Sequence, residues 1–309
     1  MNKRKYAGTW TALVTPFKSD GALDEAALRK LVRRQVEMGV SGVTPVGTTG
    51  ESPTTTAEED VRIFEIVRAE LDKANAELGR SAMMMAGTGS NCTADAVKYT
   101  KAAKEAGADA CLVVSPYYNK PTPAGLKLHF HAIADVGLPV VVYNIKGRTG
   151  INIATDTLVE IARHPSVVAV KEASGDLAQM KEVIARREAG DFTEDFAILC
   201  GDDGMTLDLI RAGGDGVISV ASNIVPDKVA EMVDYALGGN FSEAEKIGER
   251  LSDLFEKIFI ETNPIPVKYC VSIMGLCELV YRLPMCEPSA ETKRVLDEML
   301  KNYDLIPGY

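Results

Sequence analysis

The 309-residue sequence has three histidines (His129, His131, His164), one tryptophan and no two cysteines in a C-x-x-C pair. So few imidazoles exclude a histidine-rich metal centre. The six cysteines (Cys92, Cys111, Cys200, Cys270, Cys277, Cys286) are scattered. They read as free thiols in a reducing cytoplasm, not as a disulfide framework. Basic charge is also short: 34 Lys and Arg against 44 Asp and Glu leave a net charge of -10. That runs against nucleic-acid binding, which wants a basic face. No apolar run is long enough for a transmembrane helix. The N-terminal "MNKRKYAGTWTALVTPF" is basic but lacks the apolar core and cleavage site of a secretory signal. Phosphate loops are missing too. "GTTGES" at 47–52 has no Walker lysine, and "VTPFKSDG" stands where a dinucleotide fold would carry G-x-G-x-x-G.

What is present is periodic. Hydrophobic residues at 46% and charged residues at 25% suit an ordinary globular chain. Eight short apolar runs recur, at 9–17, 42–47, 82–89, 110–116, 139–145, 167–174, 196–202 and 215–222. Amphipathic segments such as 23–39, 93–107 and 176–190 lie between them, several ending in Gly. Strict alternation predicts parallel strands, and eight units predict a closed (β/α)8 TIM barrel rather than an open doubly-wound sheet. After Ala221 the pattern is helical only. The expected organisation is a barrel over 1–225 and a C-terminal helical extension over 226–309.

Reactive groups of such a barrel sit at the C-terminal ends of its strands. Those ends supply Thr48 and Thr49, Tyr117 and Tyr118, Tyr143 and Arg148, Lys171, the "GDDG" of 201–204, and Ile218. Lys171 ends the run "VVAVK", where an ammonium is expensive to bury. Alternation places Val167, Ala169 and Lys171 inside the barrel, and Val168 and Val170 against the helices. Val141 and Tyr143 share a parity, so Tyr143 can stand beside the lysine. A desolvated amine next to a phenol is a nucleophile with a proton donor and acceptor at hand. Plainer readings coexist. A strand-end lysine can lead its head to water, "GTTGES" can cap a helix, and "SPYYNKP" can be a turn with core aromatics. "HFH" reads as structural, "EED" (58–60) as a solvated helix start, and the two carboxylates of "GDDG" as too few for Mg²⁺.

Taken in order, "GTTGE", "SPYYNKP", "YNIKGRTG", "VKEASG", "GDD" and "NPIPVK" (263–268) resemble the dihydrodipicolinate synthase family of pyruvate-dependent class I aldolases. The likeness runs from "GTWTALVTPF" to the last helices. It implies a TIM barrel with a helical extension, a homotetramer built as a dimer of dimers, and no metal or organic cofactor. The implied reaction condenses pyruvate with L-aspartate-4-semialdehyde in lysine biosynthesis through diaminopimelate. By the same resemblance, Lys171 forms the Schiff base and Tyr143 moves protons, relayed through Thr49 and through Tyr118 of a neighbouring subunit. Thr48 and Thr49 hold the pyruvate carboxylate, Arg148 the carboxylate of the semialdehyde, and Gly201 and Ile218 line the site with their backbones.

Related N-acetylneuraminate lyases and 2-keto-3-deoxy sugar-acid aldolases share the lysine and tyrosine but generally lack the arginine. Arg148 suits a small partner bearing a carboxylate, to which a guanidinium offers a bidentate fork. A non-catalytic paralogue and a metal-dependent aldolase are the readings from other classes. Lysine-sensitive relatives bind the end product in an interface cleft, matched here by Ser52, Asn91, Asp95 and Tyr117. Two imidazoles of that pattern are replaced by Ala57 and Asp60. The expected feedback inhibition is weak or absent.

Overall fold

The structure, a computed structural model, describes residues 4–306. Its eight strands are β1 (Gly8–Ala12), β2 (Gly42–Thr44), β3 (Met83–Gly87), β4 (Ala110–Val114), β5 (Val140–Asn144), β6 (Val167–Glu172), β7 (Ala197–Cys200) and β8 (Gly216–Ser219). Between them run α1 (Glu25–Glu37), α2 (Ala57–Leu78), α3 (Thr93–Glu105), α4 (Pro123–Ala134), α5 (Lys146–Thr149), α6 (Thr155–Ala162), α7 (Leu177–Glu188) and α8 (Thr206–Arg211). The chain continues as α9 (Pro226–Leu237), α10 (Phe241–Lys257), α11 (Ile265–Ile273) and α12 (Ala290–Asn302). All neighbouring strands pair in parallel, in chain order, and β8 closes on β1 with Trp10 opposite Ile218. The expected barrel is present. α9 packs on β1 and α8, and α10 packs on α9. Among the described residues no helix is long and apolar enough to cross a membrane.

Closure divides the apolar residues into two cores. The larger lies between strands and helices and takes Val43, Val113, Val142, Val170 and Ile198. The smaller fills the barrel and takes Trp10, Leu112, Val141, Ala169, Leu199 and Ile218. The indole of Trp10 occupies the space that Gly42 leaves on the next strand. A Cβ at Gly42 would stand 2.4 Å from the ring and 2.6 Å from the Met83 carbonyl.

One inward assignment fails. The β5–β6 register slips between Val140 and Val141, so that Val140 faces Val167 while Val141 faces Ala169. The extra residue is Val168. It turns Val167 out to the helix-side core and brings Val168 against the barrel interior. Beyond this bulge alternation resumes, and Ala169 points inward as expected.

Local chemistry fixes the helix starts. Thr56 and Glu59 form a capping box on α2, and Asp24, Asp176 and Asn240 cap α1, α7 and α10. The "EED" start of α2 is not simply solvated: Glu59 takes a two-pronged grip from Arg282, and the Thr55 hydroxyl donates to Asp60 at 2.6 Å.

Candidate active site

β5 and β6 set the centre of the site by register. Tyr143 lies directly opposite Lys171, and Lys171 Nζ sits 4.3 Å from the centroid of the phenol ring. Both side chains are buried, Lys171 at 5% exposure and Tyr143 at 6%. Burial pulls the Lys171 ammonium down from 10.5 to about 8, against the pull of the Asp203 carboxylate. Burial pushes the Tyr143 phenol up to about 12. At neutral pH the phenol therefore keeps its proton, while roughly a tenth of the lysine is free amine.

The next residue pair on these strands faces the other way and locks the first. Asn144 donates to both Glu172 oxygens, at 3.2 and 3.1 Å, and the Ser174 amide donates to Glu172 at 2.8 Å. On the far side of Lys171 stands Gly201. A Cβ there would meet Ala173 Cβ at 2.5 Å and Lys171 Cε at 3.0 Å. The absent side chain is what leaves room for the lysine stem. Asp203 is buried and accepts from the amides of Val220 and Ala221 at 2.9 and 3.0 Å, tying the β7 end to the segment after Ile218. Ile218 itself packs inside the barrel.

Thr48 and Thr49 ride on a turn bracketed by two left-handed residues, Val46 (φ 56°) and Glu51 (φ 55°). Thr49 is buried, and its hydroxyl accepts from Asn263 Nδ2 at 3.0 Å. The carbonyl of Asn263 accepts from Arg148 Nη2 at 2.9 Å. Asn263 thus joins two predicted site residues, and its buried Oδ1 has no partner among the described residues. In the sequence it stands out only as the first residue of "NPIPVK". The signal that could have singled it out is an Asn-Pro-x-Pro break in an otherwise helical stretch. Thr48 and Arg148 share a cavity of about 440 Å³ with Ser52, Asp60, Tyr99 and Tyr117. Lys171 and Tyr143 lie outside its lining. Tyr118 is not brought to the others: its residue is 90% exposed, on a left-handed backbone with φ 73°. Among the described residues no group of three or more His, Cys, Asp and Glu side chains is placed to hold a metal ion.

The family model that matches this chain is that of the dihydrodipicolinate synthetase family, over residues 5–303. The chain belongs to that family. A Methanospirillum hungatei relative named 4-hydroxy-tetrahydrodipicolinate synthase is 45% identical, over 97% of this chain and all of its own. One of the same name from Chlorobium phaeobacteroides is 44% identical over 99% of this chain and all of its own. Among solved structures, dihydrodipicolinate synthase of Aquifex aeolicus superposes with a TM-score of 0.90 at 42% identity, covering 98% of this chain and all of that one. The Cyanidioschyzon merolae enzyme, solved with lysine bound, gives 0.91 at 38% identity, with 98% and 100% covered.

A buried, partly neutral amine can add to a ketone, and a protonated phenol beside it can supply the proton. Gly201→Ala is expected to drive the Lys171 stem aside and to cut borohydride trapping of a small α-keto acid on Lys171 by tenfold or more. Intact mass reads the adduct, and trapping at the wild-type rate would show that the stem has room to spare.

Proposed function

We propose that the chain is a 4-hydroxy-tetrahydrodipicolinate synthase that condenses pyruvate with L-aspartate-4-semialdehyde through a Schiff base on Lys171, in the lysine pathway of the cytoplasm. The observation that carries this reading is the buried Lys171, paired in register with Tyr143 and pulled down to about 8. Neutral Nζ adds to C2 of the ketone, the carbinolamine loses water, and the imine draws electrons from the methyl carbon. That carbon gives up a proton and attacks the aldehyde. A ring nitrogen in the product requires the aldehyde partner's own amine to replace Nζ at C2, which frees the lysine. Tyr143 donates and takes back the protons of imine formation through Thr49 and Tyr118. Thr48 and Thr49 bind the pyruvate carboxylate, Arg148 that of the aldehyde, and the backbones of Gly201 and Ile218 line the site. The contact of Arg148 with the Asn263 carbonyl supports its place, since it orients the fork toward the threonine turn. Every step uses side chains of the protein and the two substrates, without metal or organic cofactor.

The exposed Tyr118 fits a residue that completes the site of a neighbouring subunit. That contact requires at least a dimer, and the family resemblance extends it to a homotetramer, a dimer of dimers, in which 226–309 is the helical domain. A chain that sediments as a monomer with full activity would remove Tyr118 from the relay.

One assay separates Lys171 from Arg148. Lys171→Ala should abolish the borohydride-trapped pyruvate adduct and lower turnover by several orders of magnitude. In the wild type the trapping rate should rise through a midpoint near pH 8, because only the neutral amine adds. A rate flat between pH 7 and 9 contradicts that. Arg148→Ala should keep the adduct but raise KM for the aldehyde about tenfold or more, since charged hydrogen bonds contribute ~1.5–3 kcal/mol each. Unchanged aldehyde kinetics, with sugar-acid cleavage by the wild type, would favour a lyase.

Inhibition by L-lysine is weak or absent on this reading. Ala57 offers the ligand no hydrogen bond or aromatic surface. Asp60, raised by burial to about 6 yet still mostly ionised at neutral pH, lines the cavity shared with Ser52 and Tyr117, where it draws an ammonium but repels a carboxylate. Half-inhibition below about 1 mM, an affinity of roughly 4 kcal/mol, in an initial-rate titration at saturating pyruvate would refute it.

A further inference from the structure

Glu51 and Lys268 form an ion pair with both side chains fully buried. The ammonium lies 4.2 Å from the centroid of the Phe17 ring and 5.3 Å from that of Tyr281. The second Glu51 oxygen accepts from the Arg282 amide at 3.2 Å. Such pairs add little net stability. Replacing both partners by apolar groups is often neutral, whereas removing one strands a buried charge. Stability is therefore a poor reason for this one.

Its position offers a better reason. Glu51 directly follows Thr48, Thr49 and Gly50, and with Val46 it supplies the left-handed ends of their turn. Non-glycine residues hold that conformation only where the surroundings impose it. The backbone clamps are short-range: Gly50 N to the Gly47 carbonyl at 3.0 Å and Glu51 N to the Thr48 carbonyl at 3.1 Å. Thr15 adds a hydroxyl bond to the Gly50 carbonyl at 2.7 Å. The Glu51 side chain anchors the turn to α11, the helix that carries Lys268, and the Asn263–Thr49 bond ties it to the residues just before that helix. Arg282, reached through the same carboxylate, also binds the carbonyls of Gly21 and Thr54.

We infer that Glu51 and Lys268 are a positioning pair: they hold the Thr48–Thr49 turn in the one conformation that presents its hydroxyls and amides to the keto-acid carboxylate. The C-terminal extension thereby becomes a working part of the site. This rests on the proposed role of Thr48 and Thr49.

The test uses the full chain as the double variant Glu51→Gln with Lys268→Met, which removes both buried charges together, alongside Glu51→Gln alone. Two quantities are read: hydrogen exchange of the amides of 47–52, and the pyruvate concentration that half-saturates borohydride trapping. In the double variant exchange should quicken tenfold or more and half-saturation should rise at least tenfold. The denaturant midpoint should stay near that of the wild type. Wild-type exchange and saturation in the double variant overturn the inference. So does a lowered midpoint with unchanged saturation, or a double variant that fails to fold, because the pair then serves the fold as a whole. A wild-type protein that traps no pyruvate defeats the proposed function instead, and exchange alone then decides whether the pair fixes the turn.

Discussion

The removal of one ammonium group from water is the constraint on which the rest of the site depends. Lys171 holds its proton loosely because the barrel buries it, and it is buried because β8 closes on β1 and small residues let side chains meet at the centre. Ala169 and Ala173 flank the lysine on its own strand and the loop beyond, and Gly201 grazes its stem. Larger residues at these places would fill the chamber, and an open sheet would flood it. The Asp203 carboxylate sets the limit in the other direction. Without an opposing charge, burial would favour the neutral amine further still.

The same two strands carry opposite solutions to the burial of charge on their two faces. Inside, Lys171 has an aromatic face and a remote carboxylate, and burial loosens its proton. Outside, one residue on, Glu172 is wrapped by Asn144, Ser174 and Gln179 and is left nothing to do but hold. A fully hydrogen-bonded carboxylate is a rigid fixture. Because Asn144 and Glu172 follow Tyr143 and Lys171 directly, their grip is transmitted to that inward pair through a single peptide unit on each strand.

What the sequence made legible was what repeats or stands at a strand end. The eight runs, the alternation with helices, and the convergence of Lys171 with Tyr143 all follow from periods of two and 3.6 residues. The orientation of Val167 did not, because a bulge leaves no mark on composition. It slips the register by one residue and flips one face locally, while the residues beyond keep their parity. Asp60 looked solvated because acidic residues crowd the start of α2, yet the Thr55 hydroxyl and its own burial draw it in. Asn263 and Lys268 lie 214 and 217 positions from Thr49 and Glu51, their respective partners, far beyond any local pattern. Long-range polar contacts are a product of the fold and become visible only with it.

That separation has a consequence for the life of the chain. A ribosome delivers Thr48, Thr49, Tyr143 and Lys171 well before it delivers Lys268. Until the last strand has paired with the first, the barrel is not there to bury the lysine, and an unburied ammonium keeps its ordinary basicity. Until α11 has docked, the threonine turn lacks its anchor. The low basicity of Lys171 is therefore acquired with closure of the barrel and is absent from the chain as it is first made.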